Sequence, residues 1–557
     1  MLTTFKYDHY YLYDELKDCL KILQDKYPHL MSVESICETD EQKQVFAVTL
    51  TNQNTGAPHT KPAFYMDGNH HAGEVTGSMA AMHTIDYLVT NESPLLNDYT
   101  VYVIPRMSPD GAEAYLTSAE KLRSVNRNYP YEEKEAGLHP SDLDGDGVIR
   151  LMRVKSPYGA WKISSDDSRI MIKRQPDEVN GDFYNVYPEG EIVGFDGINI
   201  KLAKNKWGLD FNRNYPFGWF PDARQPGSGK YPLSNPENKA VADFIINHSN
   251  ISLASTLHTS GGMIIYPPGI HPEKKAHPFD MKLYKTIGKM GTDETTYPCY
   301  NIFDAFLTDT VNYSSGAFDD WCYFTQGILT YTVELWDMKK HAGISHTWPR
   351  IAHQEVEKEL EDYKKQLAWI DTNVSKEAGF KEWTKINHPQ LGEVEIGGCD
   401  FKYTMQNCPP HLLQTEIENN TKFMLRQIVT LPKLVFASVE VIQVAPNLYQ
   451  MEVVVSNQGY LPTYVCEQAK TVKVDQPVTV SCVGEVKLIN SEETQTIGHL
   501  EGFSGIKTEY SYDGIQTENH APILKKVTWL IQAKTGTTVT LIATQPKAGR
   551  IEKSMSL

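Results

Sequence analysis

Apolar and polar positions along the first hundred residues switch between two periods. Residues 11–28 carry apolar side chains at helical spacing and predict a helix. Gln44–Leu50 and 63–67 are short apolar runs that predict strands, and the second leads straight into Gly68-Asn69-His70-His71-Ala72-Gly73-Glu74. Helical spacing returns at once. Met79, Met82, Ile85 and Leu88 form a stripe suited to packing on a sheet. Thr100–Ile104 predicts another strand; 253–258 predicts one that ends in His258 before the small, turn-forming Thr259-Ser260-Gly261-Gly262. Ile328 to Leu335 is apolar except for threonines and Glu334. Residues 354–372 are strongly helical, with Val356, Leu360, Tyr363, Leu367 and Ile370 on one face, and are expected to close the domain. Strands and helices mixed in this way predict an α/β sandwich with its site at strand ends.

Beyond residue 375 the pattern changes. Residues 376–430 read as a connector with Cys408-Pro409-Pro410 and a helix to about Gln427. From 431 to 557 short strands rich in Val, Ile, Thr and Tyr alternate with polar turns, as in the run from Tyr449 to Tyr460, and predict an all-β sandwich. A chain of 557 residues exceeds what one core usually supports, which agrees with this division. No internal repeat or low-complexity segment is present.

Composition narrows the function classes. The 31 Tyr, 9 Trp and 31 Pro suit a loop-rich enzyme or binding protein. A net charge of −17 would repel a phosphate backbone and argues against nucleic acid as partner. The eight cysteines lack the close paired spacing of a structural zinc site or disulfide scaffold, so reduced thiols are expected. The first residues lack the basic region and apolar core of a signal peptide, and no run is long enough to span a bilayer. A cytoplasmic protein without membrane partners is expected, or a secreted one if a leader has been removed.

The candidate chemistry starts at His71 and Glu74, an imidazole and a carboxylate three residues apart after an apolar strand. Catalytic zinc takes three protein ligands from His and Asp/Glu and keeps a fourth position open. His258 is the best third ligand. Each histidine alone would more often be an ordinary hydrogen-bonded one, so the accompanying segments decide. Asp210-Phe211-Asn212-Arg213-Asn214, Thr330-Tyr331-Thr332-Val333-Glu334-Leu335, the loop from Asn312 to Trp321, and Pro109-Asp110-Gly111 followed by Lys121-Leu122-Arg123 occur in the order of one family. In these motifs the first 375 residues resemble the M14 zinc carboxypeptidases.

That resemblance implies a mixed-sheet α/β/α catalytic domain, with about 131–207 as an insertion. It implies zinc on His71, Glu74 and His258, with Glu334 as general base toward a zinc-activated water. Arg123 would face the oxyanion, with Arg127 the competing choice; Asn212 and Arg213 would bind a substrate's terminal carboxylate, and Tyr313 would close over it. Asp210 would accept from the other ring nitrogen of His71. His70 is left with a packing or rim role. The digestive members carry an arginine where this chain has Gly73, which removes an outer substrate contact. Asp319 falls at the specificity position and would favour Lys or Arg side chains; a one-residue gap would put Phe318 there. A cell-wall peptide peptidase or amidase of the same fold is the alternative enzyme. A non-catalytic peptide- or glycan-binding protein is the alternative class, against which the complete ligand set with Glu334 and Arg123 speaks. Within the insertion, Asp142, Asp144 and Asp146 match the first positions of a calcium loop, but Arg153 stands where the bidentate Glu belongs. Calcium and a solvated acidic turn are both open there.

Overall fold

A computed structural model describes the chain except residues 131–133, 205–207, 308, 310, 346–355, 490, 512–513 and 519–521. Eight strands form its central sheet: β1 (Met31–Glu38), β2 (Gln44–Leu50), β3 (Ala63–Gly68), β4 (Thr100–Ile104), β5 (Ile251–Thr259), β6 (Met263–Tyr266), β7 (Cys299–Asn301) and β8 (Leu329–Leu335). Their spatial order is β1-β2-β4-β3-β5-β8-β6-β7. The middle four, β4-β3-β5-β8, run parallel. β3 and β5 are buried along their whole length, so β3 opens on a continuous apolar run and β5 intersperses its apolar residues only with small polar ones before His258.

Helices cover both faces. On one lie α1 (Tyr13–Lys26), α2 (Val75–Thr90) and α5 (Pro278–Thr295); on the other lie α4 (Pro236–Asn247) and α6 (Phe318–Gln326), with α3 (Pro109–Thr117) near the site. The stripe Met79, Met82, Ile85 and Leu88 is completely buried in the first core. Gly77 lets α2 cross β5 closely, since a Cβ there would stand 2.6 Å from the Leu257 carbonyl oxygen. The helix expected at 354–372 is α7 (Val356–Asn373); Gln354 lies outside the described residues. α7 reaches toward the insertion, where Asp371 pairs with Arg169 and Lys364 with Asp166. The helix that completes the covering of the sheet beside α2 and α5 is instead α8 (Pro410–Ile428), whose Leu413, Ile417, Phe423 and Met424 are fully buried in the same core.

The insertion and the residues after α7 share a second sheet. Its six strands, in spatial order, are Lys381–His388, Gly392–Gly398, Leu151–Lys155, Tyr184–Pro188, Trp161–Ile163 and Met171–Lys173. Here the acidic loop finds its counter-charges. Lys381 Nζ lies 2.7 Å from Asp144 and 2.8 Å from Asp146, Arg150 Nε donates to Asp146 at 2.9 Å, and Asp142 accepts from the N–H groups of Gly145 and Gly147. Calcium is not supported here: Lys381, Arg150 and backbone N–H groups meet an oxygen of each of the three aspartates, while Asp144 Oδ1 is buried without a partner among the described residues. Arg153 at the twelfth position pairs with Glu395 and lies 4.4 Å from the centre of the Trp383 ring.

The C-terminal region consists of antiparallel sheets. One contains Leu434–Ala445, Leu448–Asn457, Leu524–Gln532 and Lys487–Leu488; the other contains Thr494–Gly498, Val478–Gly484, Thr538–Gln545 and Gly549–Ser556. Met451, Val453, Val480, Trp529, Ile531 and Leu541 fill the space between them. All eight cysteines are thiols, five of them buried.

Candidate active site

The site sits at the C-terminal ends of the parallel strands, where the register determines which side chains meet. β5 and β8 pair so that His258 is opposite Glu334 and Thr256 opposite Thr332, and β3 brings Asp67 opposite Thr256. Alternation then places Thr256 and His258 on one face of β5, with Thr332 and Glu334 beside them on β8. β3 ends at Gly68, and the chain turns at Asn69, whose φ is +68° and whose side-chain amide donates to the carbonyls of His71 and Ala72. The Ala72 N–H donates to the Arg123 carbonyl at 2.6 Å, which ties the turn to the segment carrying that arginine.

His71, Glu74 and His258 converge. His71 Nδ1 lies 2.8 Å from Glu74 Oε1, His258 Nδ1 lies 2.8 Å from Glu74 Oε2, and the two Nδ1 atoms are 3.1 Å apart. All three residues are buried. Burial opposes ionisation of Glu74, but the two histidines hold its carboxyl well below the usual range. The donor set fits zinc: two imidazole nitrogens and a carboxylate whose ligand atoms all lie within 4.8 Å of one another. The outer ring nitrogens are occupied as a metal ligand's should be. His71 Nε2 is 3.0 Å from Asp210 Oδ1, and His258 Nε2 is 3.2 Å from Thr256 Oγ1, which donates to Asp67 Oδ1 at 2.6 Å.

Arg123 joins this network while Arg127 does not. Arg123 Nε donates to Asp210 Oδ2 at 2.9 Å and Nη1 approaches Glu74 Oε1 at 3.5 Å. Arg127 is held elsewhere by Asp40, Glu237 and Asn235. Asp210 is buried, yet Arg123, Arg213 and His71 hold its carboxyl well below the ordinary value. Asp210 also turns the next segment, accepting from the Asn212 N–H at 2.9 Å, and Arg213 Nη1 donates to the Asn212 carbonyl at 2.6 Å. A cavity of about 240 Å³ opens onto His71, Glu74, Arg123, Asn212, Arg213, His258, Asp319 and Glu334. Burial, with the Glu74 carboxylate adding to it, pushes Glu334 up to about 7.

Asp319 also lines this cavity, while Phe318 turns into the core against Tyr65, His70 and Tyr215. Asp319 Oδ2 accepts from Thr332 Oγ1 at 2.6 Å, and Asp320 accepts from the Gly269 N–H at 2.9 Å. Burial and the neighbouring Asp319 push Asp320 up to about 8. Tyr313 is not in the cavity wall; its ring packs near Phe220 and Phe303, and Ser314 lines the wall instead. His70 is fully buried, between Tyr215 OH at 3.0 Å and Thr256 Oγ1 at 3.2 Å, so of its two expected roles the structure shows packing. Asp67 and Thr256 were missed by motif reasoning. Thr256 carried a usable signal, since a residue two before a strand ligand shares its face.

Comparison with known proteins gives the family. Residues 16–361 match the model of the zinc carboxypeptidase family, and 433–556 match a domain of unknown function. Pig carboxypeptidase A1 is 31% identical over 330 residues, 54% of this chain and 69% of that protein. Carboxypeptidase B of the crayfish Astacus astacus is 22% identical over 340 residues, covering 59% and 86%. The match to rat carboxypeptidase A1, 31% identical over 137 residues, spans only about a third of that protein. Among solved structures, bovine thrombin-activatable fibrinolysis inhibitor bound to a tick carboxypeptidase inhibitor aligns with a TM-score of 0.41 at 14% identity, covering 76% of this chain and 97% of that one. With its family model matched over more than half its length, this chain belongs to the zinc carboxypeptidases, a family of peptide hydrolases.

Proposed function

We propose that this protein removes C-terminal residues from peptides, with a preference for Lys and Arg. The observation that carries the reading is a single cavity holding the convergent His71, Glu74 and His258, the carboxylate of Glu334 beside them, and the Arg213 guanidinium. Zinc, when bound by those three residues, supplies Lewis acidity to the scissile carbonyl and the attacking water. Glu334 accepts the water's proton and returns it to the leaving amine, work suited to a carboxyl whose value has been raised toward neutrality. Arg123 is fixed by Asp210 with its Nη1 directed to the metal ligands, placing positive charge where the oxyanion develops. Asn212 and Arg213 hold the substrate's terminal carboxylate, which restricts cleavage to the last bond. Tyr313, on the neighbouring loop, closes over the bound carboxylate.

Preference for a basic last residue follows from Asp319 and Asp320. Their carboxyls are adjacent and buried, and a substrate ammonium or guanidinium would offset both the burial and the Asp319 repulsion that raise Asp320. Mass-spectrometric tracking of a synthetic peptide pool tests both statements. Stepwise loss of C-terminal Lys and Arg is expected, abolished by Glu334→Gln and by chelation. Asp319→Asn should reduce the advantage of Lys over Leu roughly 30-fold, from the ~2 kcal/mol that removing one partner of a buried charge pair costs. Intact peptides beside zinc-loaded protein would refute the carboxypeptidase reading and direct attention to cell-wall peptides.

A further inference from the structure

Glu74 occupies the position just before α2, where a side-chain oxygen ordinarily accepts from the helix's first free N–H groups. Its carboxylate is turned onto His71 and His258 instead and makes no capping bond. Turned this way, the carboxylate does not reach the free N–H groups of its own helix, although Oε2 also accepts from the Thr259 N–H at 3.2 Å. The Thr76 N–H finds its acceptor 331 residues further along the chain, at Asn407 Oδ1, 3.1 Å away, and Thr76 Oγ1 donates to the same oxygen at 3.0 Å. The other end of that amide faces the residue before the ligand. Asn407 Nδ2 donates to the Gly73 carbonyl at 2.8 Å, with the Tyr115 hydroxyl and the Lys402 carbonyl each at 3.2 Å. Asn407 is fully buried.

One amide therefore grips the backbone on both sides of Glu74. Its neighbours leave the loop no room to carry a side chain at residue 73: a Cβ on Gly73 would stand 2.8 Å from both Gln406 Nε2 and Tyr115 Cε2. The Tyr115 ring of α3 and the flexible end of Gln406 thus share the space a side chain at residue 73 would enter, Gln406 belonging with Asn407 to the segment around 402–408. That segment lies outside residues 16–361, where the family model matches.

We infer that Asn407 is a positioning residue of the metal centre, holding the Gly73 carbonyl and the Thr76 N–H so that the Glu74 carboxylate stays free for the cation. This rests on the zinc site proposed above. Chemistry explains the residue type, because the position needs one donor and one acceptor on a short, uncharged side chain. A smaller or apolar residue would leave a dry N–H and a dry carbonyl unpaired, and the loop would relax until it found other partners.

The test is zinc affinity of the full chain, measured by competition against a chromophoric chelator, for wild type, Asn407→Ala, Asn407→Leu and Gln406→Ala. Leucine keeps the branched shape while removing both hydrogen-bonding ends, so it guards against mere cavity collapse. Both Asn407 variants should bind zinc ten- to a hundredfold more weakly, the range found when groups supporting a metal ligand are removed. Gln406→Ala, whose side chain bonds Tyr115 rather than the loop, should match wild type. At saturating zinc the Asn407 variants should lose kcat with KM little changed. Zinc affinity within twofold of wild type in both Asn407 variants would overturn the inference, and so would an equal loss in Gln406→Ala. Wild type that binds zinc tightly yet trims no peptide would refute the proposed activity while leaving this comparison of affinities decisive.

Discussion

At the scale of single residues, two arginines four positions apart have opposite duties, and the difference lies in their partners. Arg123 touches Asp210 and Glu74, so its charge stands at the edge of the metal site. Arg127 serves Glu237, a carboxyl 2% exposed whose other oxygen has no hydrogen-bond partner and which burial pushes above the ordinary value. Arg123→Gln is expected to lower kcat roughly 10²- to 10³-fold, the usual effect of removing one oxyanion donor, and to lower the unfolding midpoint as well, since buried Asp210 loses a partner. Arg127→Gln should leave kcat near wild type while costing on the order of 1–3 kcal/mol of stability because Glu237 loses its partner. Steady-state kinetics and urea unfolding on the same two variants decide this. Equal kinetic losses would mean that the charge at the site has been assigned to the wrong arginine or to neither alone.

Among the elements, α8 does more than cover the sheet. Trp336 follows the strand that carries Glu334 and has a φ of +65°; its N–H donates to Glu416 Oε1 at 2.9 Å and its indole N–H to the Thr404 carbonyl at 2.7 Å. The Tyr297 hydroxyl donates to the same Glu416 oxygen. Burial pushes Glu416 up to about 7, the Trp336 N–H offsetting it only in part. A carboxyl raised in the folded state binds its proton more tightly there than when unfolded. Its contribution is therefore complete below the unfolded value near 4.5 and is lost as pH rises through about 7. Glu416→Gln keeps an acceptor and removes the proton, so stability that falls by up to about 3 kcal/mol between pH 5 and pH 8 in wild type should fall less in the variant. Unfolding midpoints at the two pH values measure the difference, and identical slopes would show that Glu416 does not titrate in this range.

The same element marks the limit of what the sequence discloses. β3 and β4 were legible because burial on both sides leaves short apolar runs, β2 and α2 because their apolar residues follow strand and helix spacing, and the ligand set because His71 and Glu74 are close in sequence and the family's other motifs accompany them. α8 was legible as a helix but not as the cover for α2, since periodicity shows that a face is buried and says nothing of its partner. Lys381–His388 and Gly392–Gly398 gave no sign that they would join the insertion, because their neighbour, the strand Leu151–Lys155, lies more than two hundred residues away. Asn407 is the extreme case. A lone asparagine before two prolines has no local signature of a contact with Gly73.

For the whole molecule, these distant pairings mean that the range matched by the family is not a unit that could be excised. A chain ended at residue 375 would lose α8 and with it Leu413, Ile417, Phe423 and Met424, exposing Met79, Met82 and Leu283 on the core they share. It would also strip two strands from the insertion's sheet and leave Asp144 and Asp146 without Lys381. A chain ended at 430 keeps those elements but loses the C-terminal region's own anchors. Leu461, Val465 and Cys466 belong to the catalytic core, Asp280 at the start of α5 accepts from the N–H groups of Glu467 and Gln468, and buried Lys547 donates to the Ile251 carbonyl at the start of β5. Both deletions bare apolar surface that a monomer does not tolerate in quantity. The 375-residue chain should be insoluble, and the 430-residue chain should elute as aggregates on size exclusion, or unfold at a clearly lower temperature than the full chain. A monodisperse 430-residue protein with an unchanged midpoint would show instead that the C-terminal sandwich is an appended module and that its contacts with β5 and α5 contribute nothing to the catalytic fold.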